Sequence, residues 1–554
     1  MENSLKGQGN KWLIIFLIYA DFTAKEKQEG DIEKLKITIN NMLGDIITTP
    51  IVPDQSRMYV VMNSIKFVFN DPKNGIDDKS AFYTIERTAD RKQNHITKCE
   101  ILDNSIYYAP TTDGGQVLQK ACQLEAILKK TCVKADEEVF LITWDHGSSF
   151  GMFRAQPHSP DVLSVKKEVE RNLLQFPFLK QFWDKARKQH LHGAKTGKIV
   201  EESLIEPCKE SKKAGDIKTD NGVYVASGNS AEPSQSPQSV SVQPIPRVAE
   251  ILTNRELNDA LQGWLGCNRK VGVLLMVNCW MMNLHTMYAL RDSVHCLVAP
   301  QGNIDCPGYN IKDILTEITS AKKNGIQPTE LAKVCVTTID NDYSKAKAAI
   351  LSPIEPDVIE RFKIFAVDLS SRQTGDGSYL ENQIESLDTL FRLLIDDMNG
   401  PPIRESLKYF FKYIRSVSFD FSRNKTKTID ILNWIKSIQQ ADLSLNLTIL
   451  SSPVRDGIAI FLDSVSRPNN IVLASSSGKK IYVIEDSEDY WATIGLPPTG
   501  YSLFFPMIYP ALNLDLLNLI DNVSTDELLT RLKNWRNFLN TIDPLLSNFF
   551  PAYS

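Results

Sequence analysis

Two side chains in this 554-residue sequence have the types and the setting to do covalent chemistry. The apolar run Val139-Phe140-Leu141-Ile142-Thr143-Trp144 ends in Asp145-His146-Gly147-Ser148. A second run, Val271-Gly272-Val273-Leu274-Leu275-Met276-Val277, ends in Asn278-Cys279-Trp280. Short, continuously apolar runs of this kind are predicted to be buried strands of a parallel sheet. In open α/β sheets the groups that handle ligands collect at the carboxyl ends of strands, so a histidine and a cysteine at two such ends can share one rim. A thiol there is a nucleophile for acyl groups, and an imidazole relays protons near neutral pH. Together they are the minimum equipment of a cysteine hydrolase.

Each assignment has a plainer competitor. Free cysteine is among the most buried residue types, so Cys279 alone also reads as a packing residue, and His146 as a core histidine. Gly147 allows a close backbone approach, and its N–H can join that of Cys279 in holding an oxyanion. Asp145 is the strand neighbour of His146 and is expected to point to the opposite face, in a structural role. His285, His295, Cys296 and Cys306 lie near Cys279 in sequence. They lack repeated ligand spacing and are expected to be packing or loop residues, with no metal. Asp340-Asn341-Asp342 reads as a polar turn.

The elements that must hold these residues alternate in type. Residues 12–20 read as a central strand, with a faint likeness to a signal segment that Asp21 and Phe22 spoil. A helix is expected over Lys27 to Gly44, a strand over Met58 to Phe69, and a hairpin from Ala81–Thr88 and His95–Leu102. A helix over Gly114 to Cys132 leads to the histidine strand. After Arg255–Leu265 (helix) and the cysteine strand come a helix to Leu290 and a strand over Ser293–Ala299. Asn310–Ser320, Leu331–Cys335 and Ser344–Leu351 continue a mixed pattern. Further on, strands are expected at Lys363–Leu369, Ile458–Asp463 and Lys480–Ile484, and helices at Tyr379–Met398, Leu407–Val417, Thr428–Gln440 and Thr525–Asn540. Strand–helix alternation of this kind predicts an α/β fold, a mostly parallel sheet flanked by helices.

Pro207 to Pro246 breaks the pattern, with Lys209-Glu210-Ser211-Lys212-Lys213 and then a Ser/Gln/Pro/Val tract. It reads as a disordered linker between the histidine and cysteine strands. Four regions follow: 1–206 with the histidine, 207–247 as linker, 248–360 with the cysteine, and 361–554 as a C-terminal α+β region. The net charge of −5 provides no basic field for nucleic acid, and no apolar run is long enough for a transmembrane helix. Nine scattered cysteines without a CxxC pair suggest reduced thiols and a cytoplasmic setting.

Trp144-Asp145-His146-Gly147-Ser148-Ser149-Phe150 resembles the histidine motif of the clostripain family of cysteine peptidases, members of the caspase-like clan. Asn278-Cys279-Trp280-Met281-Met282, with the helix ending Tyr288-Ala289-Leu290, resembles its nucleophile segment. Lys11-Trp12, Val298-Ala299-Pro300-Gln301, Pro307-Gly308-Tyr309, Ile364 to Ser370 and Thr499 to Pro506 agree in order. The resemblance implies a caspase-like sheet and a Cys279–His146 dyad cutting peptide bonds through an acyl-enzyme. It also implies activation by cleavage between the two halves, for which Lys209, Lys212, Lys213 and Lys218 are exposed candidates. Family members pair an Arg or Lys before the scissile bond with acidic groups, usually having Asp-Ala before the cysteine. This chain has Val277-Asn278 there, and Pro300-Gln301 in place of Ser-Glu. Val277, Gln301 and Asp305 are therefore the candidate pocket residues, and a relaxed or apolar preference is expected, since an unpaired cation in a pocket is costly. No cofactor is expected, although the resemblance admits calcium, with Asp340 to Asp342 as a fragment. The expected partner is a protein or peptide, in the class of defence or cell-death effectors. The alternative is a catalytically silent caspase-like scaffold, which the departures at Val277-Asn278 keep open.

Overall fold

Seven apolar residues in a row, Trp12 to Ile18, can be buried only in a strand covered on both faces. In the computed structural model they form β1 (Lys11–Ile18), and all seven are buried. The structure describes residues 11–18, 42, 44–46, 49, 56–62, 80–87, 94–102, 117–144, 147–152, 252–302, 304, 309–320, 325–350, 363–371, 378–400, 404–416, 428–444, 449–466, 470–476, 498–505 and 526–544. The linker expected over 207–247, the strand expected at Lys480–Ile484 and almost all of the helix expected over Lys27–Gly44 lie outside these residues.

In chain order, β1 is followed by β2 (Ser56–Met62), β3 (Ser80–Arg87), β4 (Asn94–Leu102), α1 (Val117–Lys129) and β5 (Glu137–Trp144). The short strands β6 (Gly147–Ser148), β7 (Gly151–Met152) and β8 (Leu252–Thr253) come next. They lead to α2 (Asn254–Leu265), β9 (Val271–Val277), α3 (Leu284–Leu290) and β10 (Val294–Pro300). Then come α4 (Ile311–Ser320), α5 (Pro328–Ile350), β11 (Ile364–Asp368), α6 (Tyr379–Asn399) and α7 (Arg404–Ser416). The last elements are β12 (Thr428–Asp430), α8 (Ile431–Ser444), α9 (Ser452–Ser464), β13 (Val472–Ser475), β14 (Ser502–Phe504), α10 (Glu527–Arg531) and α11 (Lys533–Ile542).

Nine strands form one sheet in the order β13-β11-β10-β9-β5-β1-β2-β3-β4. The middle five, β10, β9, β5, β1 and β2, are mutually parallel. Antiparallel strands close both flanks, including the expected β3–β4 hairpin. Alternate residues of β1 point into two cores: Leu13, Ile15 and Leu17 pack with α1 and α2, and Ile14, Phe16 and Ile18 belong to the cluster that holds α4 and α5. This is the helix-flanked, mostly parallel sheet that the apolar runs predicted. The sheet does not stop at residue 360, because β11 and β13 of the C-terminal region extend it. Beyond β11 an aromatic layer ties α6, α8 and α11 together, with Phe391 and Trp535 ring centroids 4.5 Å apart. Among the described residues no helix is long and apolar enough to cross a membrane.

Three local expectations are corrected. Ile458–Asp463 is not a strand but part of α9, where Val454, Ile458 and Phe461 recur at helical spacing and are buried. A proline stands in the first turn of that helix, where its missing N–H costs nothing. Leu331–Cys335 and Ser344–Leu351 fall almost wholly within the single helix α5. Asp340-Asn341-Asp342 lies in the same helix and is not a turn.

At the start of β5, Glu137 is 3% exposed and meets Arg57 of β2 through two hydrogen bonds of 2.7 and 2.6 Å. Burial pushes the Glu137 carboxyl up, but Arg57 and the Lys134 N–H outweigh it and hold it below its usual value of 4.5. A depressed carboxyl stabilises the fold above its unfolded-state value and loses that contribution as pH falls through the folded one. Glu137→Gln is therefore expected to destabilise by roughly 2–3 kcal/mol at neutral pH, since it leaves a half-buried guanidinium without its anion. Urea denaturation at neutral pH and at about pH 3 checks this. The gap between variant and wild type should narrow in acid, and a gap independent of pH would refute the assignment.

Candidate active site

β5 and β9 are adjacent and parallel, with Trp144 opposite Val277 at their carboxyl ends. Asp145 and His146 follow β5 and lie outside the described residues. Gly147, the next residue, is described, and its backbone rests on that of Cys279. A Cβ placed on Gly147 would lie 2.3 Å from the Cys279 carbonyl oxygen, 3.0 Å from its nitrogen and 3.0 Å from Asn278 Cβ. The two segments singled out in the sequence therefore converge, and the described contact is made by the residue directly after His146.

Cys279 sits where the chain turns sharply out of β9. Trp280 has φ +60°, a left-handed conformation that is a true outlier for a bulky residue. Such strain persists only where surrounding bonds over-determine it, and it clusters at functional sites. Here Trp280 N–H donates to Gly302 O at 2.9 Å and Met282 N–H to Pro300 O at 2.9 Å. Asn283 completes the turn, its Nδ2 donating to Trp280 O at 2.7 Å while its Oδ1 caps α3 by accepting from Thr286 N–H. Ile304 N–H donates to Cys279 Sγ at 3.3 Å. A donor aimed at the sulfur favours its charged form. Cys279 is half-buried, whereas burial pushes the thiols of Cys296 and Cys335 far up and keeps them protonated.

The segment after His146 is pinned from several sides. β6 pairs with β7, and β7 with β8, the first strand after the linker region. Asn254 N–H donates to Phe150 O at 2.9 Å and its Nδ2 to Ser149 O at 3.0 Å. Ser149 Oγ meets Thr428 Oγ1 at 2.6 Å. Phe150 packs on His285 and Phe504, with ring centroids 4.8 and 5.2 Å away. His285 accepts from Phe504 N–H at Nε2 and lies 3.0 Å from Asp526 Oδ1 through Nδ1, so it ties α3 to β14 and to the cap of α10.

The candidate pocket residues separate. Val277 is 3% exposed in an apolar cluster with Trp144 and Tyr309, with Ile304 packed against it. Asn278 is buried and accepts from Thr143 Oγ1 of β5. Gln301 is buried and its side chain is fully engaged: its Nε2 donates to Asp430 and Ser502, and its Oε1 accepts from Gly500 N–H. Asp305 and Cys306 lie outside the described residues. His295 is half-buried on β10, where burial first and then the Lys270 charge lower its pKa. Sequence reasoning missed Asn254, Asn283, Thr428 and Asp430. Asn283 and Asp430 carried a local signal, each a side-chain acceptor just before a helix.

Residues 247–486 match the model of the clostripain family, Peptidase_C11. The matched segment holds Cys279 and all the described elements from α2 to β13. Among solved structures, the chain is similar to a secreted C11 cysteine protease from Bacteroides thetaiotaomicron in complex with an irreversible peptide inhibitor. That likeness has 9% identity and a TM-score of 0.44, over 95% of this chain and 99% of that one. It is also similar to an inactive zymogen C11 protease from Parabacteroides distasonis, at 10% identity and a TM-score of 0.43, over 94% of this chain and 98% of that one. Likenesses this distant assign no residue roles. No protein with a curated description matches.

Proposed function

Starting from a clostripain-family cysteine-peptidase segment at residues 247–486, we propose that the chain is an endopeptidase making limited cuts in an intracellular protein through Cys279 and His146. The observation that carries this reading is the contact of the Gly147 backbone with that of Cys279, one residue from the imidazole. In the proposed reaction the Cys279 thiolate attacks the scissile carbonyl carbon, and the oxyanion is held by the N–H groups of Cys279 and Gly147. His146 protonates the leaving amine as the C–N bond breaks, leaving a thioester. Water, deprotonated by the same imidazole, then releases the acid.

The apolar cluster around Val277 among the described residues supports a relaxed or apolar preference before the scissile bond, because an unpaired Lys or Arg in a pocket is costly. Activation by cutting within 207–247 is part of the proposal. Support comes from β8, which leaves that region hydrogen-bonded to the segment that follows His146. A cytoplasmic setting is supported by the free buried thiols of Cys296 and Cys335 and by nine scattered cysteines. A defence or cell-death effector is the substrate class we put forward.

The test is a set of peptidyl electrophiles that differ in the residue next to the warhead. Adduct mass is expected on the Cys279 peptide, with apolar residues reacting at least about tenfold faster than Arg or Lys. Strong selection for Arg or Lys would refute the preference. No adduct, with or without cleavage of the linker, would leave the scaffold reading in its place.

A further inference from the structure

Three backbone hydrogen bonds fasten the segment after β10 to the turn that carries Cys279. They run from Met282 N–H to Pro300 O, from Trp280 N–H to Gly302 O, and from Ile304 N–H to Cys279 Sγ. Gln301 lies between the first two. Its backbone N–H is taken by Lys363 O, and its side chain meets residues of the β12–β14 pair. There Nε2 donates to Asp430 Oδ2 at 3.0 Å and to Ser502 Oγ at 2.6 Å, and Oε1 accepts from Gly500 N–H at 2.9 Å. Asp430 in turn accepts from Asn433 N–H, Thr499 N–H and Thr499 Oγ–H. Gln301 and Asp430 are each 1% exposed.

This network is closed: donors surround the carboxylate, and both amide hydrogens of Gln301 are engaged. A buried polar cluster of this kind rigidifies what it joins and is costly to leave partly satisfied. What it joins is the β12–β14 pair on one side and the Cys279 turn on the other. The Ile304 N–H that meets the sulfur stands three residues from the Gln301 anchor. Misplacing a group by about 1 Å can lower a rate by up to about 10²-fold.

We propose that Gln301, held by Asp430, is a positioning residue for the nucleophile, fixing the segment whose Ile304 N–H supports the Cys279 thiolate. The inference rests on Cys279 being the nucleophile. It also gives the amide at this position a role: a Glu at 301 would set a second carboxylate against Asp430, which like charge disfavours.

The experiment follows iodoacetamide alkylation of Cys279 by peptide mass, from about pH 5 to 9, in the full-length protein. Exposed Cys122 and Cys267 serve as internal standards. In the wild type, Cys279 should react at lower pH than these two. Gln301→Leu should move its midpoint upward by about one pH unit and lower kcat about tenfold with little change in KM. Ser502→Ala removes a single partner and should shift the midpoint in the same direction by less; it serves if Gln301→Leu fails to fold. A wild-type alkylation profile in folded Gln301→Leu, or in Ser502→Ala where the first does not fold, overturns the proposal while leaving Cys279 as nucleophile. A wild-type Cys279 no more reactive than Cys122 and Cys267 overturns both.

Discussion

Cys279→Ala is expected to lower kcat/KM for a peptide substrate by at least about 10⁴-fold, the scale seen when a covalent nucleophile is removed. Neither buried thiol among the described residues is suited to replace it. Cys296 and Cys335 are buried in the core with their thiols pushed up, so they hold little thiolate at neutral pH. Cys279 alone among the described cysteines combines the carboxyl end of a parallel strand, a strained turn behind it and an N–H directed at its sulfur. The substitution should leave the unfolding midpoint within about 0.5 kcal/mol of the wild type, because the half-buried thiol contributes little packing. Initial rates at enzyme concentrations high enough to detect the residual activity provide the check. A variant that keeps a tenth of the wild-type rate would remove Cys279 from the mechanism.

Gly147→Ala should damage both stability and activity, although it adds a single methyl group. That methyl would lie 2.3 Å from the Cys279 carbonyl oxygen and 3.0 Å from two further atoms, Cys279 N and Asn278 Cβ. All three belong to the backbone or to the root of a side chain, so none can swing aside. Relief requires β6 to separate from the Cys279 turn, and both are held: β6 by β7, the turn by Gly302 and Pro300. Overpacking of this kind costs about 1–3 kcal/mol, and the displaced site should lose about 10²-fold in kcat. Gly44→Ala is the control, since among the described residues nothing lies within 4 Å of the added carbon there. Thermal unfolding and peptide hydrolysis, measured on both variants, should separate them. Wild-type behaviour of Gly147→Ala would mean that the two segments are not in contact in solution.

Much of the sheet that carries this site was readable before any coordinates. Apolar runs without charge announce strands buried on two faces, and β1, β5, β9 and β10 are such strands at nearly the expected bounds. A strand's carboxyl end is a local property, so the placement of Cys279 followed from its run. Short apolar segments with no clear period were less legible. Ile458–Asp463 read as a strand because six residues cannot separate a two-residue repeat from a helical face; Val454 and the preceding proline decide it. The hydrogen bonds of Gln301 were not legible at all, because its partners Asp430 and Ser502 lie 129 and 201 positions away. His285 likewise meets Phe504 across 219 positions.

The residues alone determined which segments would be buried, that the sheet would be mainly parallel at its centre, and that a thiol would stand at the end of one strand. Those are consequences of side-chain hydrophobicity and of the chain's own short-range geometry. Tertiary structure decided which polar group meets which: Gln301 with Asp430, Ile304 N–H with the sulfur, Gly147 with the Cys279 backbone. Burial compels such groups to find partners but does not name them, and the partners become available only once distant elements pack together.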